Sequence, residues 1–188
     1  MNRRELLQWL SRGMATTVAA IIGLPGIRYL SGSVPSSAEP VSDYQRLKRL
    51  EDLPIGRPVM IPVLGCKRDA WAQSDQQVVG RVWLVRRPAT ANAGESEVQA
   101  FNSVCPHMGC QIQAQASNQG FVCPCHRAAF GLNGQRQNDP VSQEISHAPR
   151  DMDSLACRVV QDPANGNAWV EVQLQAFELG SKQRIVRS

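Results

Sequence analysis

The residues best suited to chemistry lie between positions 105 and 126. They run Cys105-Pro106-His107-Met108-Gly109-Cys110, then a twelve-residue spacer, then Cys123-Pro124-Cys125-His126. Each half offers one cysteine and one histidine close together, and each adds a spare cysteine. Thiolate and imidazole together favour a borderline or soft metal, bound as a single zinc ion or as an iron–sulfur cluster. The chain has three histidines, and two of them fall in these two short runs. A Cys/His zinc knuckle uses the same ligand types and is the alternative. It would leave the protein colourless, and EPR-silent after reduction.

The two runs resemble the Rieske iron–sulfur subunit of quinol:cytochrome c reductases, the cytochrome bc complexes. Those proteins carry Cys-x-His-x-Gly-Cys in one loop and Cys-x-Cys-His in the other, and this chain fills both patterns, Gly109 included. In a Rieske centre two histidines replace two cysteines on one iron of a [2Fe-2S] cluster. The resemblance therefore implies one cluster per chain, with Cys105 and Cys123 on the inner iron and His107 and His126 on the outer one. It also implies a disulfide between the spare Cys110 and Cys125, a pair that Rieske oxygenases and ferredoxins normally lack. Such a bridge persists in an oxidising compartment.

By the same resemblance the chain is the redox subunit of an oxidoreductase that is not catalytically complete alone. It takes one electron from quinol and passes it to a c-type cytochrome, while the second electron goes to haem b of a cytochrome b partner. Ferric iron lowers the proton affinity of a bound imidazole and reduction raises it again, so a ligand histidine can accept a proton as the electron arrives. His126 is the favoured quinol contact and proton acceptor, with His107 the alternative. High-potential relatives follow the last histidine with Gly-Ser-x-Tyr, whose two hydroxyls bond cluster sulfurs. Here the run is His126-Arg127-Ala128-Ala129-Phe130, so both hydroxyls are missing at Ala128 and Phe130. The expectation is a low-potential centre that serves menaquinol. Ser146-His147-Ala148-Pro149 lies where the family has a Gly-Pro-Ala-Pro loop over the cluster; only Ala148 and Pro149 match, and His147 reads as a surface or packing histidine.

What precedes the site reads as targeting. The formal charge is +4, but residues 1–30 hold Arg3, Arg4, Arg12 and Arg28 against Glu5, which leaves +1 for the rest. No basic patch asks for nucleic acid. Arg3-Arg4 ahead of Leu6-Leu7 resembles a twin-arginine export signal, a route suited to proteins loaded with a cofactor before export. Gly13 to Ile27 is uncharged, and Trp9 and Tyr29 sit about 30 Å apart on a helix, so residues 1–30 can anchor the chain in a membrane. Gly23, Pro25 and Gly26 weaken the far end, and Ser36-Ser37-Ala38 offers a cleavage site. Residues 31–43 are small, polar and proline-bearing, a linker of at most about 40–45 Å. The implied location is the bacterial inner membrane, with the Rieske domain on the periplasmic side. The rival reading is the small Rieske subunit of an exported molybdenum oxidase of the arsenite oxidase type, which is soluble after cleavage and has no quinol chemistry.

From residue 44 onward the pattern turns to β. Pro58–Leu64, Val78–Arg86, Val98–Val104, Leu155–Gln161 and Trp169–Leu174 are rich in valine and aromatics, with turn signals between them, Asn165-Gly166 the clearest. Tyr44 to Leu50 fits a strand or a short helix. In the last strand Val170, Val172 and Leu174 alternate with Glu171 and Gln173, predicting one buried and one wet face. Residues 105 to about 148 read as loops. The fold expected is mainly β: an antiparallel Rieske-type base domain over 44–188, with the cluster-binding loops inserted as a subdomain and an N-terminal anchor helix. Cys66 and Cys157 remain after site and bridge are assigned, and pairing them as a second disulfide is an expectation for an exported chain.

Overall fold

The computed structural model describes residues 2–31, 44–68, 73–88, 97–138 and 146–187. It divides into two compact units, one built on the N-terminal helix and one on the strands. The helix α1 runs Arg3–Ser31, continuing through Pro25, with Glu5 in its first turn and Arg28 in its last, where each opposes the helix dipole. Its most apolar 18-residue stretch has a mean hydropathy of 1.3, and the helix is long and apolar enough over Arg3–Tyr29 to cross a membrane. The segment expected as a linker lies outside the described residues beyond Ser31.

Eleven strands among the described residues form three antiparallel sheets. The first has the order β1 (Gln45–Arg49), β11 (Ala168–Val172), β10 (Cys157–Gln161). The second runs β2 (Pro58–Arg68), β3 (Gln73–Arg86), β4 (Val98–Asn102), β9 (Ser154–Leu155). The third is β5 (Gln113–Ala114), β6 (Gly120–Val122), β7 (Ala129–Gly131), β8 (Arg136–Gln137). The open choice at residues 44–50 resolves as strand β1 followed by a single 3-10 turn, Leu50–Asp52.

Strand β3 explains how the base carries the site. Val82-Trp83-Leu84-Val85 is apolar at every position, as a strand covered on both faces must be. Val82 and Leu84 enter one core with Leu53, Val63, Val98, Ala100, Leu155, Val170, Val172 and Phe177. Trp83 and Val85 point the other way, into a second core with Phe101, Ile112, Phe121 and Phe130. That second core also holds Cys105 and Cys123. Phe121 and Phe130 are fully buried and directly opposed across β6 and β7; burying each aromatic ring stabilises by about 1.5–3 kcal/mol. The Trp83 ring lies 5.3 Å from that of Phe121, and its Nε1–H donates to the Ile112 carbonyl at 3.2 Å.

Several expectations change here. The stretch 105–148, read as loops, contains the whole third sheet among its described residues; strands of two or three residues are too short to show a period of two. The single strand expected over Leu155–Gln161 is split at Ala156, with β9 joining β4 and β10 joining β11. Glu171 was expected to be wet and is 8% exposed, because Arg158 (2.8 Å) and Arg46 (3.5 Å) fold over its carboxylate. The second disulfide is not present. Cys66 is exposed on β2 and Cys157 half-buried on β10, strands of two different sheets, and the Cys157 Sγ donates to the Val98 carbonyl at 3.2 Å.

Candidate metal centre

The two motif runs are turned loops, each closed at its base by short pairing. The first is closed by a bridge between Val104 and Gln111, and by the Ile112 N–H donating to the Ser103 carbonyl at 2.8 Å. Inside it the Cys105 N–H donates to the Cys110 carbonyl (2.8 Å) and the Gly109 N–H to the Cys105 carbonyl (3.0 Å). Gly109 sits at φ +81°, where a side chain is strained, and a Cβ would lie 2.8 Å from Leu179 Cδ1. The second loop is the turn of the β6–β7 hairpin, and the Cys123 N–H donates to the Ala128 carbonyl at 2.8 Å. Arg127 takes φ +55° there, in the left-handed region that favours glycine.

These folds sort the donors by depth. Cys105 and Cys123 are buried at 1% and 2% exposure, while His107 is half-buried and His126 exposed. The two imidazoles meet edge to face, with ring centroids 4.8 Å apart. Burial pushes the Cys105 thiol up to about 11; the His107 backbone N–H pulls it down, the adjacent Cys123 raises it further, and the Met108 N–H again lowers it. A buried thiol raised in this way ionises readily only with a cation beside it. Metal ligation supplies that cation, since a coordinating thiol is deprotonated. Two inward sulfurs and two outward imidazoles fit a [2Fe-2S] group held by Cys105, Cys123, His107 and His126. The Sγ atoms of Cys110, Cys123 and Cys125 also lie within 4.8 Å of one another. Two of those three are joined in the Cys110–Cys125 disulfide, with Cα atoms 6.5 Å apart, and so have no thiolate to offer.

Around this set Ala128 and Phe130 are both fully buried in the same core cluster as Cys105 and Cys123. Ala148 joins them at 2% exposure, so the Ser146–Pro149 segment packs onto the site, while His147 is exposed. The sequence reading missed the 177–187 segment. The Gly180 N–H donates to the Pro106 carbonyl at 2.8 Å, and Leu179 packs at Gly109. Leu179 (43%), Met108 (66%) and Val104 (37%) form an exposed apolar rim on the first loop. Arg150, which fastens this segment, carries no signal in the sequence: Arg49 has the same i,i+3 spacing to Asp52 and is not buried, whereas Arg150 is buried against Asp153.

A family model for the Rieske [2Fe-2S] domain matches residues 44–166. Iron–sulfur subunit 2 of the chloroplast cytochrome b6-f complex of Nicotiana tabacum is 30% identical over 186 residues, covering 95% of this chain and 71% of that one. The cytochrome b6-f complex iron–sulfur subunit of Microcystis aeruginosa is 27% identical over 153 residues, covering 79% of each chain. Among solved structures, the cyanobacterial plasma membrane Rieske protein from Synechocystis shares 32% identity, covering 48% of this chain and 76% of that one, with a TM-score of 0.33.

Proposed function

Because the chain belongs to the Rieske [2Fe-2S] domain family, we propose that it is the electron-transfer subunit of a membrane quinol:cytochrome c reductase. The observation that carries this reading is the pair of imidazoles, 4.8 Å apart and turned outward, above two buried sulfurs and beside a disulfide that ties both loops. The bound [2Fe-2S] group supplies a one-electron carrier. The chain's own residues do the rest. Cys105 and Cys123 keep the sulfur side dry. His126, the more exposed imidazole, accepts the hydroxyl proton of quinol at the ring nitrogen that does not hold metal, and His107 is the alternative acceptor. The rim of Val104, Met108 and Leu179 offers an apolar surface to whatever encloses the quinol.

The missing hydroxyls at Ala128 and Phe130 support menaquinol as the donor, and a c-type cytochrome of correspondingly low potential as the acceptor. The α1 helix serves as membrane anchor, with Arg3-Arg4 as the export signal and the strand-built unit on the periplasmic side of a bacterial inner membrane. The names of the relatives support cytochrome subunits as partners. Isolation of the native membrane complex tests this reading. A co-purifying cytochrome b and a Rieske-type EPR signal are expected. A soluble, processed chain co-purifying with a molybdenum subunit would overturn it in favour of the oxidase alternative, and a colourless zinc protein would overturn the metal centre.

A further inference from the structure

Residues 177–186 form a hairpin whose purpose is not evident from the base domain alone. It is closed by a Phe177–Val186 bridge, by the Glu178 N–H donating to Ile185 O at 2.9 Å, and by the Arg187 N–H donating to Ala176 O at 2.9 Å. Phe177 is 5% exposed and belongs to the base core, so the hairpin is rooted there. Its tip reaches the first metal-binding loop. The Pro106 carbonyl lies between two metal-binding positions and accepts the Gly180 N–H at 2.8 Å, and Gly180 takes φ +73° to present it. Leu179 closes over Gly109 at the same place.

Two buried polar side chains hold the hairpin to the site. The Arg150 guanidinium, 8% exposed, makes a two-pronged pair with Asp153 at 2.8 Å from both Nε and a terminal nitrogen. It also donates to the Glu178 carbonyl at 2.7 Å and the Ser181 carbonyl at 2.5 Å, gripping the tip on both sides of Gly180. Asn102, 7% exposed, repeats the arrangement one strand away. Its side chain accepts the Val104 N–H (2.9 Å) at the entry to the first loop and donates to Gln175 O (3.0 Å) at the entry to the hairpin. The Asn102 N–H in turn donates to Asp153 O at 2.8 Å. A buried ion pair is a poor source of stability compared with apolar packing, but its fork fixes direction. Here it fixes where a turn sits relative to one particular carbonyl.

We infer that the 177–186 hairpin is a clasp on the His107 loop, with Arg150 its positioning residue: it holds the Pro106–His107 peptide and so sets the orientation of the His107 imidazole toward the cluster. The inference rests on His107 being a cluster ligand. Arg150→Lys keeps the charge but loses the fork, so it releases one or both tip carbonyls. Gly180→Pro removes the N–H that reaches Pro106 and cannot take a positive φ, while leaving the Arg150–Asp153 pair intact. The second variant keeps the idea testable if the first does not fold. Both full-length variants are purified with cluster, quantified by iron and by EPR spins per chain, and compared with wild type in EPR line shape and in the pH dependence of the midpoint potential. Cluster loss to a chelator is timed as well. The clasp predicts changed g-values, a shifted potential–pH curve, and loss faster by about fivefold, the weight of one hydrogen bond. Wild-type spectra, titration curves and loss rates in both loaded variants would overturn the clasp alone. No Rieske-type signal in the wild type either would overturn the ligand assignment, and the clasp with it.

Discussion

Placing a hydroxyl back at Ala128 or Phe130 should raise the midpoint potential, and the structure sets the terms of the experiment. Both residues are fully buried beside Cys105 and Cys123, and Ala128 is bonded through its carbonyl to the Cys123 N–H. A new hydroxyl at either place therefore has no water to satisfy it; it either reaches a cluster sulfur or stays unpaired. A hydrogen bond to a charged acceptor is worth about 1.5–3 kcal/mol. It favours the reduced, more negative cluster, and about 1.4 kcal/mol corresponds to roughly 59 mV for one electron. Each of Ala128→Ser and Phe130→Tyr should thus raise the potential by about 60–130 mV.

The two outcomes separate in stability as well. A hydroxyl that finds its sulfur costs little, whereas one left unpaired in this core destabilises by about 1–3 kcal/mol. Potentials come from redox titration followed by EPR, and stability from thermal melts of the same loaded samples. Retained stability with a raised potential is the expected result. An unmoved potential in both variants with the cluster intact would refute the reasoning, as would a wild-type potential near the top of the roughly −150 to +300 mV Rieske range.

Three further outcomes follow from the same site. Gly109→Ala should cost about 1–2 kcal/mol for the left-handed backbone alone, and more if Leu179 cannot move away from the new Cβ; melting temperature and cluster content measure it. Replacing both Cys110 and Cys125 by serine should lower stability by about 3 kcal/mol, the entropic value for a 15-residue loop, and speed cluster release in a chelator assay; unchanged denaturant midpoints would count against it. In cluster-free protein the Cys105 thiol is raised from 9.0 to about 11 in the fold. The unfolded chain therefore gives up this proton first, and folded-state stability falls as pH rises from about 9 toward 11. Denaturant melts of chelator-stripped wild type and Cys105→Ala, compared at the two pH values, isolate that contribution.

Much of the site was legible because metal chemistry restricts residue types. Cys105, His107, Cys123 and His126, the proposed ligands, stand out by identity and spacing, and the folding of both loops brings the two histidines edge to face. Strand β3 was legible for a similar reason, since a run of four apolar residues must be covered on both sides. The third sheet was hidden because Gln113–Ala114 and Arg136–Gln137 are two residues each, shorter than one alternation. Cys66 and Cys157 show the limit of counting: an even number of leftover cysteines suggests a bridge, but the register that places them in different sheets is a tertiary fact.

Glu171 and Arg150 mark the same limit from the polar side. Strand alternation placed Glu171 in water, yet its partners come from β1 and β10, so three strands must pair before the carboxylate is covered. Arg150 looks like an ordinary loop cation until Asp153, 3 residues on, and the carbonyls of Glu178 and Ser181, 28 and 31 residues on, converge on it. A motif records which atoms touch the cofactor, because only a few residue types can. It does not record which backbone carbonyls must be held still around those atoms, because any residue supplies a carbonyl. The ligands of this centre are therefore written in residue type, and the parts that hold them are written in hydrogen bonds between segments about thirty to eighty residues apart.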